Sequence, residues 1–391
     1  MGIFNLLIAG DLCPRLSAED LYDKAEEITK EVRAIVKSYD AAMVNIETVY
    51  SEDSEPIKKS GPNLKSKPET VSFVKGFGFD IAACANNHMG DYGEKGILDT
   101  LKVLKTLGLQ TVGAGENEEE AQKPLYIERN GVKLAIVNCA EHEFGIAEKN
   151  RAGMAGMDYY ATSHIIKTAK ENADKVILFM HGGNETNPVP RKGMIKMCHF
   201  FAECGADAIV LSHAHCPQGF EIYNGVPIYY GTGNFYMAAK APNGMWEYGY
   251  MVLLKIEKDK PIKTEMIPYH QTFDGSEIHI LNNDEKDRFL KYIDCISGII
   301  SKEKLYDNMT LAWAKQYMEE MTDFEERGSK APDSEHTLYI RNSYTCESHA
   351  ELMATFYKAY CENALDGLEK YDGYIRMLQN YELPDFCEDE K

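Results

Sequence analysis

The residues with the most chemistry to offer are histidines at the ends of apolar runs. His213-Ala214-His215 follows Ala208-Ile209-Val210-Leu211, and His181-Gly182-Gly183-Asn184-Glu185 follows Val176-Ile177-Leu178-Phe179-Met180. A third run, Ile81-Ala82-Ala83-Cys84-Ala85, leads into Asn86-Asn87-His88, with Asp91 close behind. Apolar runs this short predict buried strands. Imidazoles delivered at the ends of core strands sit on a rigid frame, as a metal site requires. Two carboxylates join them: Asp11, leaving the first run at Ala9-Gly10-Asp11, and Glu47, in Asn45-Ile46-Glu47.

Each of these has a plainer reading when taken alone. Asp11 reads as a turn or helix cap, and Asn45 with Glu47 as a polar strand end whose side chains share one side of an extended chain. Asn86-Asn87-His88 divides evenly between a capping turn and a ligand-plus-acid pair. His213 and His215 share a face if the backbone is extended, or form a solvated pair in a loop. His181 alone reads as a core or loop histidine, and Glu185 as a ligand orienter, a proton acceptor or a surface charge. Together they form a set of Asp, Glu, Asn and His at strand ends. Mixed oxygen and imidazole donors suit Mn, Fe or Zn better than Ca or Mg. Two such ions sharing a carboxylate can activate water and clamp a leaving oxygen. His142, His164, His199, His270, His279, His336 and His349 lack this setting and are assigned structural or surface roles. The chain has no phosphate-cradling P-loop and no Gly-x-Ser-x-Gly elbow.

Positioning such a set takes a layered α/β body. Residues 1–274 alternate short apolar runs with amphipathic stretches. The expected strands are 4–9, 42–46, 80–85, 133–139, 175–180, 208–212, 226–230 and 248–256; the expected helices are 18–37, 68–76, 94–107, 160–172 and 194–204. The last strands have no helices between them, so the sheet is expected to be mixed, with a second sheet packed on it. Residues 275–391 are charged, with apolar residues at helical spacing, and read as a helical appendage broken by a loop at 328–334. The net charge of -20 argues against nonspecific nucleic-acid binding, which rests on cations. The ten cysteines show no paired spacing, so reduced thiols and a cytoplasmic location are expected. The N-terminal run is a poor signal peptide, and no apolar stretch approaches the roughly 20 residues of a membrane span.

The ordered set Gly10-Asp11, Asn45-Ile46-Glu47, Asn86-Asn87-His88 with Asp91 and Gly93, Gly113-Ala114-Gly115, His181-x-Gly183-x-Glu185, His213-x-His215 with Gln218 and Glu221, and Gly233-Asn234-Phe235 resembles the bacterial capsule-synthesis CapA family. That family is associated with poly-γ-glutamate synthesis and related to calcineurin-like metallophosphoesterases. The resemblance covers about residues 3–240. It implies a four-layer α/β/β/α sandwich of the metallo-dependent phosphatase type, here carrying a C-terminal helical extension. It places Asp11, Glu47, Asn87, His181, His213 and His215 as metal ligands, Glu47 bridging. His88 is placed to stabilise or protonate a leaving group, with Asp91 and Glu185 completing the catalytic set. Cys13 stands where the phosphoesterase pattern has a histidine, and Glu47 where it has an aspartate.

The resemblance implies a two-metal hydrolase acting on a phosphoester, or on a glutamyl or amide bond, in poly-γ-glutamate metabolism. The alternative is a non-catalytic protein that holds an anionic polymer in the same pocket, helped by Lys58, Lys59, Lys65 and Lys67. A third reading leaves the histidines purely structural. The expected partner is a small or oligomeric anionic substrate; nucleic acid and membrane are not expected, and the sequence leaves oligomeric state open.

Overall fold

A computed structural model describes residues 2–239, 244–327 and 331–387. The first half of the chain runs β1 (Phe4–Cys13), α1 (Ala25–Val36), β2 (Ala41–Ile46), α2 (Val71–Phe77), β3 (Ile81–Ala83), α3 (Gly93–Thr106), β4 (Gln110–Val112), β5 (Ala114–Gly115), α4 (Glu118–Ala121), β6 (Leu125–Arg129), β7 (Val132–Ala140) and β8 (Gly153–Met154). It continues through α5 (Tyr159–Asn172), β9 (Lys175–His181), α6 (Lys192–Glu203), β10 (Ala208–Ser212), β11 (Phe220–Tyr223), β12 (Val226–Tyr229), β13 (Asn234–Met237), β14 (Tyr248–Ile256), β15 (Lys263–Gln271) and β16 (Ile278–Ile280). Five helices follow: α7 (Asn283–Ser301), α8 (Glu303–Arg327), α9 (Glu335–Thr345), α10 (Glu347–Cys361) and α11 (Glu369–Gln379).

Two mixed sheets carry the body. One has the order β16-β15-β14-β1-β2-β3-β4, with β13 also paired to β1; the other has the order β11-β12-β10-β9-β7-β6. Alternation along each strand explains the layers. Phe4, Leu6 and Ile8 of β1 point into a core shared with Leu134 and Ile136 of β7 and Ala208 and Val210 of β10. Leu7 and Ala9 of β1 point the other way, onto Val32 of α1, Phe73 and Phe77 of α2 and Leu104 of α3. Ile209 and Leu211 of β10 face Ile166 of α5 and Phe201 of α6. Strands covered on both faces need continuous apolar sequence rather than alternation, and the result is an α/β/β/α sandwich.

The parallel strands β1, β2 and β3 in one sheet, and β7, β9 and β10 in the other, end on one rim. In open α/β sheets that carboxyl rim is where ligands collect. The expected helix over 18–37 is a 3-10 stretch (Leu16–Lys24) followed by α1. The last strand of the first sheet, β16, lies beyond residue 274. Phe289, Tyr292, Ile293, Ile296 and Ile299 of α7 belong to the same apolar cluster as Val252 and Leu254 of β14. The expected loop at 328–334 has Gly328, Ser329 and Lys330 outside the described residues. Cysteine use departs from expectation at one pair: Cys295 on α7 and Cys387 are disulfide-bonded, with Cα atoms 5.3 Å apart. No helix among the described residues is long and apolar enough to cross a membrane.

Candidate metal centre and its cleft

Asp11 lies within β1 rather than after it. The register of β1 against β2 slips between Ala9 and Asp11, and such a bulge re-aims the side chain. Gly10 permits this: a Cβ there would sit 2.0 Å from the carbonyl oxygen of Gly233. Asp11 accepts hydrogen bonds from Asn45 Nδ2 (2.7 Å) and from the backbone N–H of His213 (3.1 Å). Its carboxylate is 3.7 Å from His181 Nδ1 and 3.8 Å from His215 Nδ1.

Glu47 stands between two groups of donors. The ligand atoms of Glu47, His181 and His213 lie within 4.8 Å of one another, and so do those of Asp11, Glu47 and His215. Glu47 Oε1 is 3.5 Å from His181 Nε2 and 3.8 Å from His215 Nε2. These gaps are too long for hydrogen bonds. Two donors each about 2.1 Å from a tetrahedral ion lie about 3.4 Å apart. Glu47 is fully buried, and among the described residues neither of its oxygens has a hydrogen-bond partner. Asn87 Oδ1 approaches the first group, 2.9 Å from His181 Nε2.

The electrostatics of the cluster suit a cation. Burial pushes the Glu47 carboxyl well above its usual value, with Asp11 and Glu185 adding to the effect. Burial pushes His181 well below its usual value, with His213 and His215 adding. An acid that resists ionising beside an imidazole that resists protonating is a setting a divalent ion relieves on both counts. Neighbours orient the rings: His215 Nδ1 is 2.8 Å from Asn234 Oδ1, and His181 Nδ1 is 3.0 Å from Ser212 Oγ. Such outer contacts select the tautomer that leaves the other nitrogen for a metal.

The route by which His213 and His215 meet the cluster differs from the extended spacing expected of them. β10 ends at Ser212, and both histidines sit in the left-handed region, at φ +99° and +51°. Non-glycine residues held there signal local strain maintained by the surrounding structure. The loop after β9 needs the same freedom: Gly183 has φ +119°, and its N–H donates to Glu141 Oε2 at 3.1 Å.

Beside the cluster, His88 Nδ1 is 2.7 Å from Asp91 Oδ2. Asp91 Oδ1 in turn is 2.6 Å from Lys59 Nζ, all three side chains being buried. Burial pushes His88 below its usual value against the opposing pull of Asp91. Glu185 lines the same cleft. The low-dielectric surroundings oppose its charge, yet His215 and His213 bring its carboxylate below the usual range.

Residues 5–239 match the family described as bacterial capsule synthesis protein PGA_cap. The chain belongs to this family. It is 32% identical over 242 residues to the capsule biosynthesis protein CapA of Bacillus anthracis, a match covering 59% of each chain. It is also 32% identical over 216 residues to the PGA biosynthesis protein CapA of Bacillus subtilis, covering 54% of this chain and 57% of that one. The chain thus spans under two thirds of the length of these relatives. A phosphatase from Mycoplasma pneumoniae superposes with TM-score 0.47 at 17% identity, covering 68% of this chain and 94% of that one. A putative 5'-nucleotidase from Staphylococcus aureus superposes with TM-score 0.45 at 14% identity, covering 74% and 57%.

In this chain the expected site residues Asp11, Glu47, Asn87, His181, His213 and His215 converge within one cluster, while His88, Asp91 and Glu185 flank it. Cys13 packs with Leu64 and Met237; burial pushes its thiol far up, and it joins neither donor group. Of the four lysines expected to attract a polymer, Lys58 pairs with Asp333 at 2.8 Å and Lys65 lies over the Tyr92 ring at 4.5 Å, whereas Lys59 lines the cleft and pairs with Asp91. Glu143 was missed. It accepts from Asn87 Nδ2 at 2.9 Å, and its place just after β7 is the available signal, because β7 ends on the same rim. His349, assigned a surface or structural role, instead lines the cleft. His142 pairs with Glu347 of α10 at 2.5 Å.

Proposed function

We propose that this capsule-synthesis protein is a metal-dependent hydrolase of a phosphoester, or of a glutamyl or amide bond, using two divalent ions drawn from Mn, Fe and Zn. The observation that carries the reading is Glu47, a buried carboxylate common to both donor groups, neither of whose oxygens has a hydrogen-bond partner among the described residues. Asn87, His181 and His213 would hold one ion with Glu47, and Asp11 and His215 the other. When bound, such a pair supplies Lewis acidity and positive charge at the reacting oxygen. The chain's own groups do the rest. Asp91, tied to Lys59, fixes the His88 ring through Nδ1 and leaves Nε2 for the departing oxygen. An anion entering the cleft favours the charged imidazole that donates the proton. Glu185, lining the cleft beside the cluster, orients water or substrate.

Metal analysis paired with hydrolysis of p-nitrophenyl phosphate and γ-glutamyl p-nitroanilide tests this. About two ions per chain and turnover lost in His213→Ala support it; full turnover in that variant defeats it. A second reading, a non-catalytic holder of anionic polymer, draws on the capsule and PGA biosynthesis names of the relatives. Saturable binding of glutamate oligomers without turnover of either compound would favour it. A cytoplasmic site of action is favoured by the eight unpaired cysteines and opposed by the bonded pair.

A further inference from the structure

The C-terminal helices lie outside the family match at residues 5–239, yet they hold the loop that follows β9. That loop, residues 182–191, carries Glu185 on the way from His181 to α6. Hydrogen bonds tie it to the appendage along its length. Near its start, Glu141 Oε2 accepts from the Gly183 N–H at 3.1 Å and from Ser348 Oγ of α10 at 3.0 Å. In its middle, Gln379 Nε2 of α11 donates to the Thr186 carbonyl at 2.9 Å. At its end, Tyr306 of α8 donates its hydroxyl hydrogen to the Pro190 carbonyl at 2.9 Å.

The middle contact falls on unusual backbone. Thr186 has φ +58°. A β-branched residue in the left-handed region is an outlier that persists only where its surroundings over-determine it. Thr186 is fixed on both sides: its N–H donates to the Ala214 carbonyl at 2.8 Å, and its carbonyl accepts from Gln379. Ala214 lies between His213 and His215, which are left-handed themselves, at φ +99° and +51°. The His213 N–H is held from the other side by Asp11. Residues 186, 213 and 215 thus form one connected patch of strained backbone, gripped by β1 at one end and by α11 at the other.

We infer that Gln379 is a positioning residue of the metal centre: from α11 it holds Thr186 in its left-handed conformation, and Thr186 holds the turn that aims His213 and His215. The inference rests on the reading of those two histidines as ligands and not on which bond is hydrolysed. The body supplies the ligands, and the appendage keeps two of them in place. Contacts behind the ligands of a metal site commonly set its affinity by 10- to 100-fold. The hold of Gln379 is more remote, acting through one loop residue, so its effect belongs at the lower end of that range.

The Mn²⁺ affinity of the full chain, measured by competition with a chelator, tests it. Gln379→Met keeps the shape of the side chain and removes the donor. It should bind Mn²⁺ about tenfold more weakly than the wild type. In the metal-free chain the same variant should lose about tenfold of the hydrogen-exchange protection at the Thr186 amide. Adding Thr186→Gly to Gln379→Met should restore most of the affinity, because glycine takes φ +58° without steric cost. A packing defect in α11 would not be mended from that position. Unchanged affinity in Gln379→Met, or a loss that Thr186→Gly leaves in place, would overturn the positioning role. If the wild type binds no Mn²⁺ but Thr186 protection still falls in Gln379→Met, the metal reading fails and the hold of α11 on the turn stands.

Discussion

Replacing Glu47 by Gln separates a bridging carboxylate from a merely buried one. Glu47 is fully buried, and among the described residues neither of its oxygens has a hydrogen-bond partner in the metal-free protein. Its folded-state pKa is raised above the usual 4.5, so the folded chain holds this proton more tightly than the unfolded chain. Metal-free stability should therefore fall as pH rises above about 4.5 toward the raised value. Glu47→Gln removes that slope and should match or exceed the wild type near neutral pH. Metal reverses the order. An ion at a hundred times its Kd adds about 2.7 kcal/mol of stability. At about 2.1 cal/mol/K per residue, 391 residues unfold with an entropy of about 0.8 kcal/mol/K. One ion then raises Tm by about 3 °C and two ions by about 7 °C. Because Glu47 belongs to both donor groups, Glu47→Gln should lose most of the rise, whereas His215→Ala, in one group, should lose about half. Differential scanning calorimetry with EDTA and with Mn²⁺ gives the comparison. A wild-type Tm that ignores metal, or a Glu47→Gln protein with the full shift, would refute the bridging role.

Three further outcomes follow from the geometry. His88→Asn should lower kcat about 10²- to 10⁴-fold while bound metal, read by elemental analysis, stays unchanged; loss of metal as well would make His88 a ligand. The hydrogen bond that His142 donates to the Glu347 carboxylate raises His142 above its usual value. Its contribution is then complete below about pH 6.5 and fades as pH rises through the higher folded value. The partly exposed pair keeps this under about 1 kcal/mol; protection factors in α10, with the intrinsic pH dependence of exchange divided out, should fall at alkaline pH in the wild type, and the same fall in His142→Gln would point elsewhere. Arg191 donates through Nε to Glu141 at 3.0 Å and through Nη1 to Glu351 of α10 at 2.6 Å. Arg191→Met strands a buried carboxylate at a cost of about 3–5 kcal/mol, which urea unfolding would register as a lower midpoint; an unmoved midpoint would mean the charges are already solvated.

The sequence by itself determined the strand ends and the residue types they carry. Runs such as Ala208–Leu211 are apolar on both faces because both faces are covered, and the polar residues at their ends are legible as soon as the run stops. Compact family motifs added roles to Asp11, Glu47, Asn87 and the three histidines. It could not show that Asp11 lies inside β1, because a bulge arises from pairing between strands, or that His213 and His215 are aimed by left-handed backbone, because that strain is held by distant contacts. β13 was missed: it pairs with β1 across more than two hundred residues, and no local pattern encodes such a partner. Only the tertiary structure brought Glu143, Asn342 and His349 to the cleft. Local sequence records propensity and burial, whereas the facing of one wall by another depends on how α8 to α11 pack against the rim.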